Sequence, residues 1–321
     1  MKKILASLII VFTLVACSAN TVNMIADAKK GIVSIVAEKN AEGIQPAGNG
    51  LGTGFIIAEN TIVTNYHVAG NSKSLKIAFA TADDFYDAEF VFGDEASDVA
   101  VIKLKDWDKF IKENPDYRVM KFANYVPKDG SEVYVIGHPW GLLYSVSKGI
   151  VSLSMRKSPN TIPTWWIQTD AHVYNGNSGG PMLNEDGEVL GMNSVMVSNE
   201  GGSYGFALPA TLIKKIINDL KTYNEVRWAT IGITMKSPGV TVNGIDPTGP
   251  ASKSTLQVND KIVGLEVDDR KIDIHNSLDI ISALSLIDYK SPIKLVVERD
   301  DSVIKVYVEP SFKLSNQFPK E

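Results

Sequence analysis

The stretch NGNSGGPM, Asn175 to Met182, sets one serine among three glycines, two asparagines and a proline. Glycine and proline both disfavour a helix interior, so the run has to be an irregular turn. By itself it reads as a surface loop with a satisfied hydroxyl. The alternative is that Ser178 is a nucleophile whose own loop supplies backbone amides to a developing negative charge. Which reading holds depends on what surrounds the loop.

Outward from this loop the apolar periodicity is short. "GIVSIVAE", "GTGFIIAE", "NTIVTNYHV", "SLKIAFA", "AEFVFGD" and "DVAVIKLK" precede it as strand-like runs broken by Gly, Asn or Asp. A second set, "EVYVIG", "SVSKGIVSLS", "TWWIQTDA", "GEVLGMNSVMV" and "YGFALP", surrounds it, with the break near residues 123–130. Many short strands at close spacing predict a mostly β architecture, and two six-stranded antiparallel barrels account for both sets. "ATLIKKIINDLKTYNEV" then has apolar residues at 212, 213, 216, 217 and 220, the spacing of a helix that closes the first module. A different, smaller α+β unit follows, with a helix in "SLDIISALSLI" and paired strands in "SPIKLVVER" and "SVIKVYVEP".

A serine nucleophile needs a base, and the chain has four histidines. His67 sits in "TIVTNYHVAG", where an apolar strand turns; His138 lies in "GHPWG", His172 in "TDAHVYNG" and His275 in "DIHNS". Imidazole must also be held in the right tautomer by a carboxylate. Asp98 in "EASDVAVIKL" fits at the start of a strand, with Asp94 as the competing acid. The order His67, Asp98, Ser178 is that of the chymotrypsin-like proteases. His138 is read as structural, and His172 is given no role.

"TNYHV", "SDVAVIKL" and "GNSGGPM", with "GTGFII" before and "GFALP" after, resemble the trypsin-like domain of the HtrA (high-temperature-requirement) serine proteases. The downstream unit resembles a PDZ domain, with "ATIGI" in place of the carboxylate-binding loop. The resemblance implies a chymotrypsin-like double barrel over 31–222, a PDZ domain over 226–311 and a tail over 312–321. It implies catalysis by His67, Asp98 and Ser178, and an oxyanion hole at Gly176, Asn177 and Ser178. Asn177 is neutral, so no buried ammonium partner is demanded there. Ser194, Val195 and Met196 are expected to line a pocket for small or medium aliphatic side chains. Ile231, Gly232 and Ile233 are expected to catch a peptide carboxylate. Family members assemble as trimers and act on unfolded or regulatory proteins, and both properties carry over as expectations. "VYNGNS" departs from the family pattern at Tyr174 and Asn175, which bears on the resting shape of the loop.

Composition excludes several other classes. The 321 residues are 44% hydrophobic and 21% charged, with a net charge of −5. That balance offers no general attraction to nucleic acid. Scattered histidines imply no metal site and no cofactor. The start, "MKKILASLIIVFTLVACSAN", has two lysines before a short apolar run, the charge order of a secretion signal over 1–16. "LVAC" resembles the lipobox of bacterial lipoproteins, in which Cys17, the sole cysteine, receives a diacylglycerol. A lipidated linker over 17–30 then anchors a periplasmic protein, and Ser18 favours the outer membrane. The competing readings are an N-terminal transmembrane anchor, a soluble secreted protease, and a non-proteolytic chaperone-like or peptide-binding module on the same fold.

Overall fold

The structure, a computed structural model, describes residues 20–39, 48–79, 85–157, 162–199, 202–236 and 239–318. The leader and Cys17 lie outside the described residues. Residues 20–29, within the segment read as linker, form helix α1, with Met24 and Ala28 buried. The chain divides into two compact units, Met1–Ser154 with Ile167–Ile213, and Met155–Trp166 with Lys214–Glu321.

The first unit holds one closed barrel and all but a few residues of a second. Strands β1 (Ile32–Lys39), β2 (Gly48–Ala58), β3 (Thr61–Thr64), β4 (Ser72–Ala78), β5 (Phe85–Asp94) and β6 (Val99–Leu104) close in the order β1-β2-β3-β6-β5-β4. Closure leaves the sheet without an open edge. Val33, Ile35, Ile56, Ile62, Ile77 and Ile102 fill the interior. One helical turn, α2 (Tyr66–Ala69), follows β3, and a second short helix, α3 (Trp107–Glu113), follows β6. The short runs read from the sequence did not show α3. It is held by Asp106, whose side chain accepts from the Lys109 N–H, and by fully buried Phe110, whose ring meets Phe79, Tyr86, Trp107 and Tyr117.

The second barrel comprises β7 (Glu132–Gly137), β8 (Ser145–Lys157), β9 (Trp165–Thr169), β10 (Pro181–Leu183), β11 (Val189–Asn199) and β12 (Gly202–Pro209). They close in the order β10-β11-β12-β9-β8-β7. Val133, Val135, Ile167, Met182 and Leu190 form its core. The three residues of β10 emerge directly from the glycine-rich loop, which ties that loop to the barrel wall. Helix α4 (Ala210–Tyr223) buries Leu212, Ile213, Ile216, Ile217 and Leu220, the face its spacing marks out. The division between the units falls within it, after Ile213.

The second unit is an α+β fold. Its four-stranded sheet runs β17-β16-β18-β19, from β16 (Lys261–Val267), β17 (Arg270–Asp273), β18 (Ile293–Arg299) and β19 (Ser302–Val308). A hairpin of β14 (Ile233–Met235) and β15 (Val242–Ile245) and a helix α5 (Ser277–Leu286) complete the core around Ile262, Leu265, Ile280 and Leu295. Asn276 and Asp279 cap α5 reciprocally, satisfying otherwise orphaned N–H groups. Within 312–318, the described part of the segment read as a tail, the chain pairs with a strand. Ser311–Leu314 form β20, paired with β13 (Arg227–Thr230), and the indole N–H of buried Trp228 donates to Ser315 Oγ at 2.9 Å. That pairing joins segments more than eighty residues apart, so no local periodicity announces it.

Candidate active site

Each candidate side chain sits where a strand ends. β3 delivers buried Thr64 and Asn65, and α2 turns the chain so that His67 stands half-exposed. Asp98 precedes β6 in the left-handed region, at φ 56°, a conformation uncommon outside glycine. Three hydrogen bonds define that turn: the Asp98 N–H donates to Glu95 O, and Asp94 Oδ2 accepts from the N–H and the hydroxyl of Ser97. Asp94 is thereby committed to the turn, which leaves Asp98 as the acid facing the histidine.

The Asp98 carboxylate receives a converging set of donors. His67 Nδ1 lies 2.9 Å from Oδ2 and 3.0 Å from Oδ1, and the His67 backbone N–H donates to Oδ1 at 2.9 Å. Ser194 Oγ donates to Oδ2 at 2.6 Å, and Asn65 Nδ2 donates to the Asp98 carbonyl. An ionised carboxylate only accepts, so in the neutral imidazole it is Nδ1 that carries the proton, with the lone pair on Nε2. Ser194 was expected on the pocket wall. It occupies a bulge in β11, where the register shifts between Asn193 and Val195, and the bulge turns its hydroxyl toward Asp98. The side chains of Val195 and Met196 lie outside the described residues.

Ser178 sits in the loop between β9 and β10, and its hydroxyl donates to the Ser194 carbonyl at 3.3 Å. The hydrogen bonds of the His67 ring go to Asp98. Two glycines make the loop possible. Gly176 has φ 103°, and a Cβ there would lie 2.4 Å from His138 O; Gly179 has φ 83°, and its Cβ would lie 2.1 Å from Thr53 O. No L side chain satisfies both the angle and the space. The N–H groups of Gly176 and Ser178 have no acceptor among the described residues, whereas the Asn177 N–H is committed to Tyr174 O at 2.9 Å. Two of the three residues named for the oxyanion hole therefore have a free amide.

The other histidines stand apart. His172 lends its carbonyl to Ser147, and His275 lies exposed before α5. His138 is buried, 1% exposed, with Nδ1 3.1 Å from Thr53 Oγ1 and its ring edge-on to Tyr144. Burial without a counter-charge pushes its pKa from the ordinary 6.5 down to about 4. The unfolded chain thus binds this proton more tightly, so its contribution to stability is full above pH 6.5 and is lost as pH falls through 4. Wild type is expected to lose up to ~3 kcal/mol more than His138→Asn between pH 7 and pH 4. Urea unfolding at the two pH values checks this, and equal losses would contradict it.

In the second unit, the segment named for carboxylate capture links β13 to β14. Ile231 is buried, its carbonyl accepting from the Ala251 N–H, and Gly232 O accepts from the Asp246 N–H. β14 pairs with β15 on one side, and its other edge has no strand partner among the described residues.

Comparison with known proteins places this arrangement. The trypsin-like peptidase domain family matches residues 52–192, and the PDZ domain family matches residues 229–309. A probable periplasmic serine endoprotease DegP-like of Halomonas elongata is 32% identical, over 74% of this chain and 52% of its own length. The chain belongs to the trypsin-like serine endopeptidases of the HtrA/DegP type. A DegP-like endoprotease of Pseudomonas fluorescens is 35% identical over 67% of the chain and 47% of its own length. The chain thus spans about half the length of the curated relatives it matches. Among solved structures, the HtrA-type protease AlgW with tripeptide aligns over 91% of this chain and 97% of its own, with TM-score 0.68 and 23% identity. The serine endoprotease from Yersinia pestis aligns over 91% and 98%, with TM-score 0.59 and 26% identity. Among the described residues no group of acidic, histidine or cysteine side chains is spaced to hold a metal ion.

Proposed function

We propose that this HtrA/DegP-type chain is a periplasmic serine endopeptidase of unfolded or regulatory proteins, with His67, Asp98 and Ser178 as its catalytic residues. The carrying observation is the Asp98 carboxylate closed on His67 Nδ1, beside a serine loop with two free amides. Ser178 Oγ turns from Ser194 O to His67 Nε2 when substrate arrives, a tightening expected of catalytic contacts. Nε2 takes the hydroxyl proton as Oγ attacks the peptide carbonyl, and Asp98 stabilises the imidazolium. The Gly176 and Ser178 N–H groups receive the oxyanion; His67 then protonates the leaving amine, and water releases the acyl group by the same route.

Binding and location complete the proposal. The strand bearing Ser194, Val195 and Met196 lines an aliphatic pocket for the residue before the cleaved bond. A C-terminal peptide adds beside β14 with its carboxylate at Ile231–Gly232–Ile233. Cys17 carries a lipid that holds the protein at the membrane, with the outer membrane favoured, and the protease domains assemble as a trimer.

The test is digestion of reduced, unfolded casein by the purified protein, with and without peptides ending in an apolar residue. Cleavage is expected to stop on treatment with a serine-directed fluorophosphonate, with the adduct on Ser178 by mass spectrometry. An adduct elsewhere, or uninhibited cleavage, refutes the assignment. Absence of cleavage with client aggregation still suppressed selects the chaperone-like reading. A rate unmoved by peptide removes the regulatory role of the PDZ unit. Fatty-acid labelling that persists in Cys17→Ser removes the anchor, and a monomer mass in solution removes the trimer.

A further inference from the structure

The loop around Ser178 has all four of its successive carbonyls committed. Asn175 O accepts from the Trp140 N–H at 3.1 Å and Asn177 O from the Gly180 N–H at 2.9 Å. In a trans peptide the C=O and N–H point in opposite directions. These two bonds therefore turn the N–H groups of Gly176 and Ser178 away from Trp140 and Gly180 and leave them open. The other two carbonyls go to one residue of the other barrel: Gly176 O accepts from Thr53 Oγ1 at 2.6 Å, and Ser178 O accepts from the Thr53 N–H at 2.8 Å.

Thr53 is itself oriented. Its hydroxyl has one proton, and the short bond to Gly176 O uses it. Towards His138 the oxygen can then only accept, from the backbone N–H at 3.2 Å and from Nδ1 at 3.1 Å. His138 is thus the Nδ1–H tautomer, and its Nε2 is buried with no partner among the described residues. A second ring proton would have nowhere to go, in keeping with the lowered pKa.

The geometry points to Thr53 and His138 as positioning residues for the oxyanion loop, the His138 Nδ1–H fixing the Thr53 hydroxyl and the hydroxyl fixing the Gly176 carbonyl. This rests on the oxyanion reading of Gly176 and Ser178. Neither residue touches substrate. They act by keeping the Gly176–Asn177 peptide plane from rotating, so the two free amides stay open before substrate arrives. Such preorganisation appears in the transition state rather than in binding.

The experiment uses the full chain with Thr53→Val, Thr53→Ser, His138→Leu and His138→Asn. Thr53→Val is expected to lower kcat by ~10²-fold, the scale of losing one oxyanion donor. KM on a peptide substrate should stay within about twofold, and affinity for a peptidyl boronate, whose adduct is tetrahedral, should fall with kcat. Thr53→Ser keeps the hydroxyl and stays within about threefold of wild type. His138→Leu loses roughly tenfold, and His138→Asn, which retains a side-chain N–H, restores most of it. A Thr53→Val enzyme with unchanged kcat, or one that loses only KM, overturns the proposal. So do equal rates in His138→Leu and His138→Asn, the pair that decides if Thr53→Val does not fold.

A readout without turnover separates this proposal from the active-site reading. In a Ser178→Ala background, the amides of Asn177, Gly179 and Gly180 should exchange hydrogen at least about tenfold faster with Thr53→Val than with Thr53→Ser. Equal exchange overturns the positioning role, whether or not the wild-type chain cleaves peptides. Conversely, wild-type cleavage that does not depend on Ser178 overturns the active-site reading while leaving the exchange result to judge Thr53.

Discussion

Ser178→Ala is expected to lower kcat for peptide cleavage by ~10⁶-fold, while the thermal midpoint moves by no more than about two degrees. The rate falls because the group that forms the acyl bond is gone, and no neighbouring hydroxyl can replace it: Ser194 Oγ is engaged with Asp98. Stability should hold because, among the described residues, the Ser178 hydroxyl makes a single long bond, 3.3 Å to Ser194 O. The loop's shape resides in its backbone, through the bonds to Thr53, Trp140, Gly180 and Asn193. The variant should therefore still bind peptide, and a residual rate ~10³-fold above water from the oxyanion amides is the expected floor. Active-site titration and unfolding curves on the same preparation check both halves. A loss below tenfold would assign the hydrolysis to another residue.

Asp98→Asn is expected to cost ~10⁴-fold in kcat with little change in KM. Two carboxylate oxygens now receive His67 Nδ1–H, the His67 backbone N–H and the Ser194 hydroxyl. An amide supplies one oxygen and two N–H donors in their place. Wherever the NH₂ group points, it faces either a donor or the imidazole. Facing the imidazole, it draws out the Nδ1 lone pair and moves the ring proton to Nε2, where the ring can no longer accept from Ser178. Asp94→Asn is the matched control. Its carboxylate accepts from the Ser97 N–H and hydroxyl and makes no hydrogen bond to His67, so the rate should stay within about twofold. Equal losses in the two variants would show that the effect comes from the turn and not from the imidazole.

Much of this was legible because it is local. Strand runs announce themselves by alternation and punctuation, α4 by the spacing of Leu212, Ile213, Ile216, Ile217 and Leu220, and the serine loop by glycines that no regular element tolerates. His67 and Asp98 stand out because the first lies where an apolar strand turns and the second at the start of another. The pocket was less legible. Ser194 reads as a wall residue, because nothing in "GMNSVMVS" signals the bulge that redirects its hydroxyl. Likewise, three-residue β10 and four-residue β20 are too short to show a period.

The mostly β chain, the order His67, Asp98, Ser178, and a loop at 175–182 that needs glycine are all written in the amino-acid order. The tertiary structure alone decided which acid faces the histidine, where the Ser194 hydroxyl goes, and which amides of the loop remain open. The physical reason is separation along the chain. Ser194 reaches Asp98 across 96 residues, and Thr53 reaches Gly176 across 123. A hydrogen bond between such distant groups contributes nothing to local conformation, and it exists only once both barrels have closed and brought the two strands together.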